Sequence, residues 1–369
     1  MRKLTIDLDA IVHNYRLMVS RTSAAILPVI KANAYGHGMV EVAKALEAAD
    51  CGGFAVADIE EALTLRAAGV KAAVLAWLLD PEDDFVEAVR QDIDLGIATV
   101  GQLNKALEAA TATGEIAHLH LKVDTGLGRN GSTLDEWETL LRETKAATET
   151  GKVMVIGIFS HLAGTSEDDD RVQVAKFEAA LAMAKTVGVD YEFAHLTASD
   201  GSLAYPDAHF DMIRVGIAIY GLDPFSAHRA AEYGLVPAMT ATAKVIQVKR
   251  VPAGQGVSYG YLHTTDKETT LALVPVGYAE GLPRNATGKA HVSLNGKLYP
   301  ILGRIAMDQF VLDVGDDPVS VGDEVVLFGD PAKGHPSVDD LADAADTINY
   351  EIVTRMGGRF KRVYRGATK

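Results

Sequence analysis

The chain has a single cysteine, Cys51, in 369 residues. That excludes an intrachain disulfide and a metal site built from several thiolates, and it agrees with a reducing compartment. Basic residues are also in deficit: 35 Lys and Arg against 50 Asp and Glu leave a formal net charge of -15. Nucleic-acid binding relies on clustered Lys and Arg to neutralise phosphates, so this balance argues against it. No apolar run is long enough to span a bilayer. The opening MRKLTIDLDAIVHNYR places Asp7 and Asp9 where a signal peptide needs an unbroken apolar segment. The expectation is a cytoplasmic protein with no membrane and no nucleic-acid partner. Short-period repeats and long low-complexity linkers are missing too, and the acidic run from Glu167 to Asp170 reads as solvated surface.

What is present is material for a large core, with 48% apolar residues in a chain too long for one ordinary domain. Over the first two thirds, short β-rich segments alternate with amphipathic helical patterns such as MVEVAKALEAA and LDEWETLLRETKAAT. The strands read as AILPVIK, GFAVA, AVLAWL, DLGIA, HLHLKVD, MVIGIFS, FAHLTAS and MIRV. Strands joined by helical crossovers in this number predict a closed (β/α)8, TIM-like barrel more than an open sheet. The last connection, ASDGSLAYPD, is weakly helical, and MIRVGIAIYG reads as one long strand or as a strand turning at Gly216. After about residue 235 the texture becomes Val-, Thr- and Gly-rich, with an Asn-Gly hairpin signal in LNGKL. A mainly β C-terminal domain is expected, ending with the helical pattern VDDLADAADTINYEIVTRMG. The domain boundaries are placed at 1–235 and 236–369.

In a β/α barrel, chemistry collects at the C-terminal ends of the strands. Lys31 ends the first strand, Arg129 follows the fifth, His161 ends the sixth, Ser199 ends the seventh, and Gly216 and Ile217 follow the eighth. The loops after strands seven and eight are a frequent phosphate site, because exposed N–H groups converge there. An arbitrary lysine at a strand end most often marks its solvated tip. Facing a phosphorylated ligand, it can instead form a Schiff base with a carbonyl. Alternation in HLHLKVDT sets His118, His120, Lys122 and Asp124 on one face. A buried lysine near Arg129 lacks a counter-charge unless it is modified or paired with an acid. Residue patterns alone reach a barrel enzyme with a phosphate-like site.

PVIKANAYGHG resembles the pyridoxal-phosphate attachment motif of alanine racemases, enzymes of fold type III. HLKVDTGLGR, FSHLAG, RVGIAIYG, VSYG, GYAEGLPR, GRIAMDQ and TINYE follow in the family order. The resemblance implies a barrel followed by a β domain, and an isomerase that interconverts L- and D-alanine to supply D-alanine for peptidoglycan. It implies pyridoxal 5'-phosphate on Lys31, with the phosphate at Tyr35, Ser199, the backbone of Gly216 and Ile217, and Tyr350. Lys31 would be the base for D-alanine and Tyr259 the base for L-alanine, with His161 beside Arg214 and available to Tyr259. By similarity the Arg214 guanidinium faces the pyridine nitrogen. As a permanent donor it leaves that nitrogen unprotonated and weakens the electron sink. The substrate carboxylate would meet Arg129 and the N–H of Met307, with Asp308 nearby.

Many relatives carry a carbamylated lysine at the position of Lys122, which makes an anion able to hold Arg129. Tyr259 and Met307 enter the neighbouring subunit's site in the family, so a homodimer is implied, with no metal. One departure is Ala306, where several relatives have cysteine. Other readings are a broader amino-acid racemase acting on serine, a related barrel decarboxylase, and a pyridoxal-phosphate carrier without turnover. Tyr259 argues against the last two. Discrimination by one methylene is worth only ~1 to 3 kcal/mol, so the sequence leaves substrate breadth open.

Overall fold

Runs such as GFAV and DLGI are buried along their whole length, as strands must be when helices cover one side and packed side chains the other. In the computed structural model, which describes residues 2–366, these runs belong to an 8-stranded sheet. Its members in chain order are Ala25–Pro28, Gly53–Val56, Ala73–Ala76, Asp94–Ile97, Ala117–Lys122, Val153–Phe159, Phe193–His195 and Met212–Val215. All pairings are parallel, and the last strand returns to the first with Ala25 opposite Met212. A bridge from Val29 to Ala55 joins the first strand to the second. The result is the nearly closed (β/α)8 barrel read from the sequence. MIRVGIAIYG resolves as a strand that stops at Val215 and a 3-10 turn over Ile217–Tyr220. ASDGSLAYPD does carry a short helix, Ser199–Ala204.

Local signals fix the crossover helices. The hydroxyls of Thr99, Thr133 and Ser166 accept from the N–H groups of Gln102, Glu136 and Asp169, closing three helix N-termini. Gly114 and Gly188, at φ 78° and 85°, end two of these helices in the left-handed conformation that glycine adopts without strain. The helices Leu134–Glu149 and Glu167–Val187 are tied by Trp137, whose indole N–H donates to the Ala180 carbonyl at 3.1 Å.

By contacts the chain divides into two units, of which the barrel takes Tyr15–Ala34 and Val42–Ile219. The other unit takes the N-terminal stretch to Asn14, Tyr35–Glu41, and the chain from Tyr220 onward. It is built on a 9-stranded sheet. In spatial order its strands are Gln247–Val251, Thr269–Val274, Phe310–Gly315, Lys297–Leu302, His291–Leu294, Glu324–Phe328, Met239–Lys244, Lys3–Asp7 and Lys361–Arg365. The Asn-Gly signal is a two-residue hairpin loop, with Asn295 and Gly296 at φ 52° and 76° between Leu294 and Lys297.

Two strands of this sheet were not anticipated. Lys3–Asp7 merges in sequence with the amphipathic helix Leu8–Val19 that follows it. Lys361–Arg365 is short and mostly basic, a composition suited to an edge strand that must not pair with another chain. The described chain therefore runs past the helical pattern, which splits into Val338–Ala344 and Asn349–Arg355. Among the described residues, no helix is long and apolar enough to cross a membrane.

Trp137 is fully buried, so Trp137→Ala leaves a cavity between two helices and removes the indole bond to the Ala180 carbonyl. The expected loss is roughly 3–5 kcal/mol, to be read as a lower midpoint of urea unfolding at an unchanged slope.

Candidate active site

The lysine at the end of the first barrel strand opens an unusual turn. Ala32, Asn33, Ala34 and Tyr35 have φ of 52°, 54°, 55° and 51°, one turn of left-handed helix. Such a turn costs L-residues roughly 1–2 kcal/mol each through Cβ crowding. Two of the four side chains are alanine methyls, and the backbone is held from outside. Glu61 accepts from the Ala32 N–H at 2.6 Å and from the Ala57 N–H at 2.8 Å, and Ala34 donates to the Ile30 carbonyl at 2.8 Å. Lys31 Nζ lies 5.8 Å from the centroid of Trp77.

Around it the barrel gathers positive charge. Lys122 Nζ and the Arg214 guanidinium lie over the Phe159 ring, at 5.3 Å and 5.5 Å, and both residues are buried. Arg129 sits in the exposed loop after the fifth strand. Among the described residues, no ion pair joins Lys31, Lys122, Arg129 or Arg214 to a carboxylate. Of the nearby acids, Glu61 is committed as above and Asp124 to the N–H groups of Gly126 and Gly128, while Asp200 acts on Arg214 only through space.

Burial, then Arg129 and Arg214, pull Lys31 below the usual lysine range, with Glu61 opposing. Burial together with Arg214, Arg129 and Lys31 pulls Lys122 down to about 7. Burial brings Arg214 to about 9. His161 is held well below the usual imidazole range by burial and by Arg214, and its Nδ1 lies 3.2 Å from Arg214 Nη2.

Arg214 is fixed from several sides. It donates to the carbonyls of His195, Ser160 and Leu196 at 3.0, 2.7 and 2.7 Å, and its Nη1 lies 2.9 Å from His195 Nδ1. Ser199 Oγ accepts from the N–H groups of Gly216 at 2.9 Å and Ala218 at 3.4 Å, tying the loops after strands seven and eight together. Ile217 begins the 3-10 turn that follows. The barrel unit thus brings together Lys31, Lys122, His161 and Arg214, with Ser199, Gly216 and Ile217 at adjoining strand ends.

The remaining named residues lie in the other unit. Tyr35 packs on Tyr220 and Tyr350, with ring centroids at 5.0 and 6.2 Å. Burial alone pushes its phenol above the usual range, so the hydroxyl is a donor. Tyr259 stands in the 3-10 turn Tyr259–Tyr261 after Ser258, whose hydroxyl donates to the Arg304 carbonyl at 2.7 Å. Tyr259 and Tyr261 are 70% exposed, Leu262 58% and Met307 53%, a large apolar surface for one unit to leave in water. The Met307 carbonyl accepts from the Ala279 N–H at 2.9 Å. A side chain at Gly277 would strike the carbonyls of Ala306 and Met307 at 2.2 and 2.4 Å. Asp308 accepts from Arg359 at 2.6 Å.

Sequence reasoning missed His195, Glu61 and Trp77. His195 is completely buried and stacks on Phe159 at 4.9 Å and 1°. Its only signal is a histidine inside an otherwise apolar strand, FAH. Glu61 reads as an ordinary surface acid of a helix, since nothing local reveals that it caps a distant turn.

Comparison with known proteins agrees along the whole chain. Residues 6–224 match the family model for the alanine racemase N-terminal domain, and residues 238–364 that for its C-terminal domain. The alanine racemase of Salinispora tropica is 47% identical over 369 residues, covering 99% of this chain and 98% of its own. That of Thermobifida fusca is 46% identical over 368 residues, with coverage of 99% and 98%. The crystal structure of alanine racemase from D-cycloserine-producing Streptomyces lavendulae matches with a TM-score of 0.97 at 45% identity, covering 99% of this chain and 97% of that one. With both domains matched and the barrel gathering its cations at the strand ends, the chain belongs to the alanine racemase family of isomerases.

Proposed function

We propose that the protein interconverts L- and D-alanine with Lys31 and Tyr259 as its two bases, on pyridoxal 5'-phosphate, and that it supplies D-alanine for peptidoglycan in the cytoplasm. The observation that carries this reading is the group Lys31, Lys122 and Arg214, collected at the strand ends with no carboxylate among the described residues bonded to any of them. Such a site attracts anions, and a phosphate and an amino-acid carboxylate are both anions. The residues fit the cofactor: an amine of lowered pKa for its aldehyde, hydroxyl and N–H donors for its phosphate, and a permanent donor for its ring nitrogen. Bound there, pyridoxal phosphate supplies an electron sink that makes the Cα proton of an amino acid removable.

The chain's own groups do the rest. Burial and the neighbouring guanidinium charges favour the neutral Lys31 amine, so Nζ can accept a proton from Cα on one face and return it. Tyr259 is proposed to serve the other face through its hydroxyl. Arg214, whose guanidinium can only donate, would hold a fixed N–H toward the ring nitrogen, and His161 stays neutral beside it. Ser199, Gly216 and Ile217 are proposed for the phosphate, with Tyr35 and Tyr350 assigned to the same group on the family resemblance. Arg129, Met307 and Asp308 are assigned to the substrate carboxylate on the same basis.

We assign residues 1–235 to the cofactor-binding domain and 236–369 to a domain that completes the partner subunit's site. The exposed Tyr259, Tyr261, Leu262 and Met307 support a homodimer in which this surface is covered. Lys122 is proposed to carry a carbamate. Its lowered pKa supports this, because only the neutral amine reacts with carbon dioxide, forming an N–C bond and releasing a proton. The resulting anion would answer the charge of Arg129 and Arg214.

In deuterated water the protein should destroy the optical activity of L-alanine while incorporating Cα deuterium. Tyr259→Phe should slow inversion in both directions by about 10²–10⁴, while D-alanine still exchanges its Cα hydrogen through Lys31. A cofactor-loaded protein with no exchange from either enantiomer would point to a carrier, and an L-serine arm measures breadth. With ¹³C-bicarbonate, a carbamate carbon signal should grow as pH rises through about 7, where Lys122 loses its proton. It should vanish in Lys122→Met; its persistence there, or its absence throughout, would sink the modification. Specific activity should fall as dilution separates the subunits, whereas a fully active monomer contradicts the shared site.

A further inference from the structure

Among the described residues Arg214 bonds to no carboxylate, yet one approaches it through two imidazoles. His195 Nδ1 is 2.9 Å from Arg214 Nη1, His195 Nε2 is 2.9 Å from His120 Nδ1, and His120 Nε2 is 3.4 Å from Asp94 Oδ2. All four residues are buried. Asp94 opens its barrel strand, so the line runs from the floor of the barrel toward the strand ends that carry the site.

The proton positions along this line follow from chemistry. A guanidinium only donates, so His195 Nδ1 accepts. Burial, Arg214 and His120 hold His195 well below the usual imidazole range, so the ring is neutral and its one proton sits on Nε2. That proton is donated to His120 Nδ1, which leaves the His120 proton on Nε2, facing Asp94. Charging His120 would set two N–H groups against each other across 2.9 Å. Each tautomer is dictated by its neighbour: donation runs in one sense from the guanidinium to His120, whose Nε2 faces Asp94 Oδ2 across 3.4 Å. His118 does not compete for the same oxygen: its Nδ1 lies 3.0 Å from Asp92 and 3.7 Å from Asp94 Oδ1, leaving Oδ2 to His120.

The barrel is shaped to allow this contact. The strand Val153–Phe159 lies between the strands that carry His120 and His195. A register shift between Leu119 and His120 sets His120 opposite Gly157. A Cβ at Gly157 would stand 2.5 Å from His120 Nδ1 and 3.1 Å from His195 Nε2, so only a bare backbone there lets the rings meet.

We propose that Asp94 and His120 are positioning residues for the reaction: through His195 they fix the proton pattern around Arg214. The effect on turnover rests on the racemase reading; the tautomers do not.

The test is ¹⁵N NMR of histidine-labelled holoenzyme, with kinetics alongside. In the unmutated protein both rings should be neutral, protonated on Nε2 and bare on Nδ1. Asp94→Leu should mix the tautomers of both rings and lower kcat about tenfold, the kinetic equivalent of one net hydrogen bond, with KM little changed. Asp94→Asn, whose amide oxygen still accepts, should restore the tautomers and most of kcat. A proton on Nδ1 of either ring in the unmutated protein overturns the proposal, and needs no variant to fold. So does Asp94→Leu with unchanged tautomers and kcat. Protein that shows the tautomers but interconverts no alanine supports the lock and overturns the racemase reading instead.

Discussion

Like charges held together out of water are the constraint on which this active site depends. Lys31, Lys122 and Arg214 share the upper barrel with no acid among the described residues bonded to any of them, and burial strengthens their repulsion. An isolated domain gains nothing from such an arrangement. The repulsion becomes useful when the missing charge is a ligand's: the arrangement suits anions, and it lowers the proton affinity of Lys31, the lysine proposed as a base. Stability given up in the free protein is returned on binding.

Positioning answers the same demand by another route. The left-handed turn after Lys31 stores backbone strain where chemistry is expected, and the surrounding structure over-determines it. Glu61 does so with two backbone bonds to two different segments. A carboxylate that could have neutralised Lys31 directly is thereby used as a clamp, so the lysine is oriented without being paired. Asp124 is diverted in the same way into its own loop.

Much of this was legible in the sequence where a pattern is local. All eight barrel strands follow from short apolar runs separated by amphipathic helices, and Lys31, Ser199, Gly216 and Arg214 follow from their places at strand ends or within the family motifs. Long-range partnerships were not legible. His195 and His120 meet only because Gly157 and a one-residue register shift intervene, and no periodicity reports a bulge. Glu61 looks like any helix acid. The strands Lys3–Asp7 and Lys361–Arg365 stabilise one another across the whole chain and carry too little pattern to announce themselves.

That last pairing bears on how the molecule is made. Lys3–Asp7 sits between Met239–Lys244 and Lys361–Arg365 in the finished sheet. During synthesis, at about 5–20 residues per second, the first strand leaves the ribosome on the order of tens of seconds before its second neighbour exists. The barrel segments can close first, because their strands pair mostly with neighbours in sequence. The other unit remains open until the end, with apolar Leu4 and Ile6, both buried in the final fold, waiting for cover. Truncation or stalling within Lys361–Arg365 therefore injures Lys3–Asp7, made long before it, as much as the newest strand.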